Sequence, residues 1–275
     1  MKNTTAVSTL EALFENSFAA LPEKFYETVM PEPVRNPVLR KYNRELDREL
    51  GLHFANETEE LIDCLAGNLV FADSTPIAMA YAGHQFGNFV PQLGDGRALL
   101  LGEKVTPDGR RLDIQLKGSG RTRFSRGGDG KSPLGPVIRE YIVSEAMHRL
   151  GVPTTRALAI ISTEERILRQ DGIHPGGIMT RVASGFVRVG SFEYFAARGD
   201  ETAIRELADY VIGRHYPELL EKKDRYRQFF SSVAKKQARL VAKWMQLGFI
   251  HGVMNTDNTS ISGETMDYGP CAFMD

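Results

Sequence analysis

The stretch RALLLGEKVTPDGRRLDIQLK, residues 97–117, most narrows what this chain can fold into, because two apolar strand-like runs meet at Asp108-Gly109, a strong hairpin signal. The second run ends on Lys117. It is followed by GSGRTRFSRGGDGKSP, residues 118–133, with five glycines and four basic side chains. LGPVIREYIVSEAMHRL comes next, and its apolar spacing predicts an amphipathic helix closed by Gly151. TTRALAIIST, RILRQ and GGIMTRVA continue the strand pattern, so the expectation is a mainly antiparallel sheet of about five strands. From Ser191 onward the pattern is helical, near 191–197, 201–215 and 224–247, the last carrying Trp244. A sheet followed by helices argues for α+β with two lobes. Upstream, residues 8–20 and 38–50 look helical, and the three prolines of MPEPVRNPV forbid one continuous helix between them.

Composition excludes several classes. The chain has 275 residues, 42% of them hydrophobic and 25% charged, with a formal net charge of −1. That is enough chain for a substantial core, and the near-neutral balance gives no bulk attraction to nucleic acid or membrane. Cys64 and Cys271 stand far apart with no CxxC or Cys/His ligand spacing, so neither a zinc site nor a disulfide framework is indicated. The N-terminal residues carry Glu11 and Glu15 and no continuous apolar run, unlike a secretory signal or a membrane span. The expectation is a cytoplasmic protein that binds no nucleic acid and no membrane.

HGVMNTDNTSISGETMDYGP, residues 251–270, groups Asp257, Asn258 and Asp267 in one loop. Such oxygens suit a hard divalent cation, which takes a few protein oxygens plus those of a phosphate, although Asn, Asp, Ser and Gly are also ordinary turn residues. A strand lysine, a helix glutamate some twenty residues later, and a distant loop with Asp, Asn and a second Asp before X-Gly are together the parts of kinase-like phosphoryl chemistry. Lys117 supplies a point charge for nucleotide phosphates, and a glutamate orients it. Asp257 suits the role of proton acceptor, and Asn258 and Asp267 that of metal ligands. Singly, Lys117 reads as a solvated strand end, Glu140 as a surface helix residue and the basic loop as a linker; their order raises the odds. The side-by-side Asp257-Asn258 departs from the H-R-D-x-x-x-x-N spacing of protein kinases.

The chain resembles the selenoprotein O family, of the bacterial YdiU type. The blocks that carry the resemblance are YAGHQFGNFVPQLGDGRALLLGE, DIQLKGSGRTRFSRGGDG, REYIVSEAMHRLGVPTTRAL, GIMTRVASGFVRVGSFEYF and HGVMNTDNTSISGETMDYGP, in family order over most of residues 75–275. The resemblance implies a protein-kinase-like two-lobed fold with a mainly antiparallel N-lobe sheet and a helical, incomplete C-lobe. It implies transfer of AMP from ATP to Ser, Thr or Tyr hydroxyls of proteins, with Mg²⁺ or Mn²⁺ as cofactor. It further implies that Gly94, Gly96, Arg97, Lys117, Asp129, Gly130, Arg181, Arg188 and Asp267 contact ATP, that Asp257 is the proton acceptor, and that Asn258 and Asp267 bind metal. ATP is expected to lie flipped relative to kinases, with arginines from the basic loop and from TRVASGFVR on the pyrophosphate leaving group.

For the lysine's partner, alignment to the family points to Glu140, while helical periodicity sets Glu145 nearer the apolar arc of Leu134, Val137, Ile138, Tyr141 and Ile142. Five residues apart, the two lie about 140° around a helix and cannot both face Lys117; Glu140 is the expected partner. The expected divisions are an N-terminal helical extension over 1–75, a nucleotide-binding lobe over 76–190 and a partial helical lobe with the catalytic loop over 191–275. Family members continue with further helices, so a fragment, a disrupted frame and a short protein all stay open, and uncovered apolar faces are expected on the 201–247 helices. The family's C-terminal redox motif is absent from this sequence. The alternatives to AMP transfer are γ-phosphoryl transfer on the same parts, or ATP binding without catalysis.

Overall fold

The computed structural model describes residues 6–54 and 56–275. The chain divides into two compact units. The first holds the described residues up to Ala80 together with Gly94–Glu145 and Thr155–Ser184; the second holds Tyr81–Leu93, Ala146–Thr154 and Gly185–Asp275.

Among the described residues of the first unit, nine strands join one sheet, and all its pairings are antiparallel. Its spine runs Tyr26–Thr28, Ile77–Met79, Ala98–Val105, Arg111–Lys117, Gly172–Ala183, Arg156–Arg169 and Val38–Tyr42. The expected hairpin is its centre, with Lys117 opposite Ala98 on one side and Met179 on the other. Strand alternation sends Leu112, Ile114 and Leu116 to one face. There they join a core with Leu46, Leu50, Leu61 and Leu65 from helices α1 (Arg44–Leu50) and α2 (Glu59–Ala66). Each fully buried leucine or isoleucine of this kind contributes about 1.5–3 kcal/mol. Asp113, Gln115 and Lys117 consequently share the opposite face, all buried. Both helices are bounded by local chemistry: Asn43 and Thr58 accept from the N–H of Leu46 and Leu61, and Gly51 and Gly67 close them in the left-handed conformation.

The N-terminal region departs from the helical expectation. Residues 8–20 hold the short strand Phe14–Glu15, paired with Ala98–Val105, and one turn of 3₁₀ helix at Phe18–Ala20. The reason is long-range: Asp73 accepts from the N–H of Ala12 and Phe14, and Glu103 from that of Phe18, so the backbone donors are satisfied by carboxylates distant in sequence. Residues 38–50 likewise split into the strand Val38–Tyr42, on the edge of the sheet, and α1, with Asn43 capping at the junction. Helix α3 (Leu134–Arg149), whose residues up to Glu145 fall in this unit, sets Val137, Leu134 and Tyr141 against Ala157, Ile160 and Met179.

The second unit is mainly helical, with α4 (Val189–Ala196), α5 (Glu201–His215) and α6 (Arg225–Gln246). A small hairpin pairs Gly83–Gln85 with Asn88–Val90. Trp244 of α6 donates from its indole N–H to Thr265 at 2.8 Å and stacks on His251 at 5.4 Å, which fastens the 251–270 loop to the helix. The TSIS segment forms only isolated bridges, at Thr259 and Ser260, while Ala272–Phe273 pairs with Phe249–Ile250. Among the described residues, no helix is long and apolar enough to cross a membrane.

This unit carries a pH-sensitive group. Burial, reinforced by the charges of Arg214 and Lys236, pushes His215 from 6.5 down to about 3. The unfolded chain takes up a proton near 6.5 that the folded chain refuses, so stability is expected to fall as pH drops from about 6.5 toward 3, by at most ~1.4 kcal/mol per pH unit. Urea unfolding at pH 7 and pH 5 checks this: His215→Phe should lose less stability than the parent, and an equal loss in both would contradict the assignment.

Candidate active site

In the first unit, Lys117 ends the central strand and α3 crosses the polar face above it. The Lys117 Nζ lies 2.6 Å from Glu140 Oε2, and Arg181 Nη1 lies 3.3 Å from Glu140 Oε1. Arg181 Nε donates to Gln115 Oε1 at 2.7 Å, and Gln115 Nε2 donates to Asp95 Oδ2 at 3.2 Å. One carboxylate thus serves two cations, and all five side chains are buried. Burial of this many charges is tolerable only when each is hydrogen-bonded, and such a network holds its members in fixed positions. Glu145 has other work: it takes Arg156 in a bidentate pair, with both N···O distances 2.9 Å, and accepts from Asn43. Periodicity favoured Glu145 because it counted Ile138 and Ile142 as core, whereas both are exposed.

The basic loop is tied down rather than loose. Thr122 donates to the Asp95 carbonyl at 2.8 Å and Ser125 to that of Gly96. Gly94 has φ +66°, and a Cβ there would stand 2.2 Å from the Phe124 ring; at Gly130, with φ +67°, it would stand 2.0 Å from the Gly120 carbonyl. A Cβ on Gly96 would meet the Phe124 carbonyl at 2.8 Å. Gly96 and Gly130 are therefore required by close backbone approach, and Gly94 by its left-handed backbone and the Phe124 ring packed on it. Gly94→Ala is expected to cost about 1–2 kcal/mol from the left-handed backbone alone, with displacement of Phe124 added, read as a lowered urea midpoint; an unchanged midpoint would contradict the packing. Asp129 is held by Arg169 at 2.7 and 3.1 Å and by the N–H of Lys131, and the Arg169 hydrogen bonds keep its carboxyl below the usual range. Arg97, Arg121, Arg123 and Arg126 are exposed.

In the second unit, the 3₁₀ turn Thr256–Asn258 presents Asp257 and Asn258. Asp257 is 6% exposed; its Oδ2 accepts from Gln85 Nε2 at 3.3 Å, while its buried Oδ1 has no hydrogen-bond partner among the described residues. Arg188 donates to the Asp257 carbonyl, lies 2.9 Å from Asp267 Oδ2 and stacks over Tyr81 at 4.4 Å. Asp267 has φ +61°, an uncommon conformation for a non-glycine residue and one that clusters at functional sites. Asn258 donates its amide nitrogen to the Val253 carbonyl, so its oxygen is the end suited to a cation. Tyr268, between Asp267 and Gly269, is buried against Phe249 and hydrogen-bonds Thr154, anchoring the Asp-Tyr-Gly segment.

By donor type, the amide oxygen of Asn258 and the carboxylate of Asp267 fit Mg²⁺ or Mn²⁺ better than a softer metal, since such ions take one or two carboxylates and complete their shell with phosphate oxygens and water. Among the described residues no group of three or more His, Cys, Asp or Glu could hold a metal. An Asn-plus-Asp site depends on the nucleotide for its remaining ligands. The orphaned Oδ1 of Asp257 is the kind of buried polar atom that calls for a ligand in the working protein.

The sequence pattern did not single out Gln115, Asp95, Arg169 or Gln85. Gln115 was accessible, since it shares strand parity with Lys117. The hairpin that carries Gln85 turns at Phe86-Gly87, both at positive φ, without the Asn-Gly or Asp-Gly signature of such turns.

The chain is 59% identical over 262 residues to the protein nucleotidyltransferase YdiU of Maridesulfovibrio salexigens, which covers 95% of this chain and 53% of that protein. It is 62% identical over 263 residues to the protein of the same name from Rhodopseudomonas palustris, with 95% and 53% covered. A third, from Rhizobium meliloti, is 60% identical over 262 residues. The chain therefore spans about half the length of the curated relatives it matches. The model of the family "Protein adenylyltransferase SelO" matches residues 8–275, and the chain belongs to the protein adenylyltransferase SelO family.

Proposed function

We propose that this chain carries the nucleotide and catalytic groups of a protein adenylyltransferase, transferring AMP from ATP to a Ser, Thr or Tyr hydroxyl of a protein. The two units are proposed to correspond to the lobes of a protein-kinase-like fold, in a cytoplasmic protein. The observation that carries the reading is Asp257: a buried carboxylate with one oxygen held by Gln85 and the other without a partner among the described residues, next in sequence to Asn258 and sharing Arg188 with Asp267.

Lys117, held by Glu140, is assigned to the phosphates as a fixed positive charge. Arg97 and the arginines of the basic loop are assigned to the β- and γ-phosphates, where they stabilise the charge that grows on pyrophosphate as the bond to the α-phosphorus breaks. Arg181 and Asp129 are proposed to act on ATP by holding its surroundings: the first is 1% exposed within the Glu140 network, and the second fixes the loop through Arg169. Asp257 accepts the proton of the attacking hydroxyl as its oxygen bonds to the α-phosphorus. Asn258 and Asp267 are the residues that would hold Mg²⁺ or Mn²⁺, whose charge would neutralise the phosphates.

The Lys117–Glu140 pair would equally serve γ-phosphoryl transfer. Intact-mass spectrometry after incubation with ATP and Mn²⁺ tests the reading: an AMP adduct on the chain or on an added protein acceptor is expected. A phosphate adduct would favour the kinase-type reaction, and no adduct would favour nucleotide binding alone.

A further inference from the structure

The hairpin over Gly83–Gln85 and Asn88–Val90 is pressed onto the loop that carries Asp257. A Cβ on Gly83 would stand 2.4 Å from Asp257 Oδ1 and 2.7 Å from its Cβ, so only glycine lets the strand come this close. Two residues on, on the same side of the strand, Gln85 donates to Asp257 Oδ2 at 3.3 Å. Between them, His84 lies 3.4 Å from Glu193 of α4, and Glu193 also accepts from Thr256, the residue before Asp257. Both ends of the hairpin are fixed, through Ala82 N–H to the Gly190 carbonyl and through Arg198 to that of Pro91.

We propose that Gln85 is a positioning residue for Asp257, its amide holding Oδ2 and so fixing the rotation of the carboxylate that receives the proton of the acceptor hydroxyl. The inference rests on the general-base reading of Asp257. A carboxylate with one oxygen engaged is held in one rotation, which fixes where it can receive a proton.

The test uses the 275-residue chain and reads single-turnover AMP transfer at saturating ATP beside ATP affinity and the urea midpoint. In Gln85→Ala the transfer rate is expected to fall about 10- to 100-fold, with ATP affinity and the urea midpoint near those of the parent. In Gln85→Glu the side-chain length is kept but an oxygen replaces the donating nitrogen, so the rate is expected to fall at least as far. An undiminished rate in either variant, or a loss of rate matched by a loss of ATP affinity or of stability, would overturn the positioning role. Undiminished transfer in Asp257→Asn, or none in the parent chain, would instead overturn the general-base reading itself.

Discussion

Replacing Asp257 with alanine is expected to lower AMP transfer by about 10²–10⁴-fold while ATP binding survives. A general base acts on the acceptor hydroxyl in the transition state, and nothing in the position of Asp257 commits it to the nucleotide: its contacts are Gln85, Gly83 and, through its carbonyl, Arg188. Removing the side chain also removes a buried oxygen that has no partner among the described residues, so the fold should not suffer from the loss of that atom. Asn258→Ala should differ, losing metal-supported nucleotide affinity along with transfer. Titration of ATP binding with and without Mn²⁺ separates the two; equal behaviour of both variants would contradict the division of roles.

The second large effect is on stability. Glu140→Ala takes the shared carboxylate from Lys117 and Arg181, which are 8% and 1% exposed. Withdrawing one partner of a buried charged set typically costs about 3–5 kcal/mol. Lys117→Ala should cost clearly less, because Glu140 keeps Arg181 as its partner. The order of urea midpoints is therefore parent, then Lys117→Ala, then Glu140→Ala. A reversed order would mean that the carboxylate does not bridge the two cations. Both variants should bind ATP poorly, so it is the unfolding order that distinguishes them.

Much of this arrangement was legible in the sequence because its signals are local. The hairpin ending at Lys117, the helix Leu134–Arg149 and the helix Glu201–His215 follow from turn chemistry and apolar period, and the structure has them at or within a residue or two of the expected bounds. What was not legible depends on partners far along the chain. Residues 8–20 were read as helical, yet Asp73 and Glu103 hold their N–H groups in an extended path. Val38–Tyr42 has a pattern compatible with helix until the strand Arg156–Arg169 offers it a ladder at the edge of the sheet. Periodicity ranks Glu145 above Glu140 wrongly, because α3 exposes Ile138 and Ile142, and a carboxylate's partner depends on which side of the helix meets the sheet. The hairpin at Gln85 had no turn signature at all, and its contact with Asp257 spans 172 positions of sequence.

These failures share a cause. Propensity describes what a segment does alone, whereas a buried carboxylate or an edge strand is defined by what the rest of the chain brings to it.

The most direct test of the account is to incubate the chain with a protein acceptor, Mn²⁺ and ATP labelled in parallel at the α- or the γ-phosphate, with Asp257→Ala as the control. The α label is expected on protein and the γ label released as pyrophosphate, with both signals lost in the control. The γ label on protein and the α label left in ADP would contradict it.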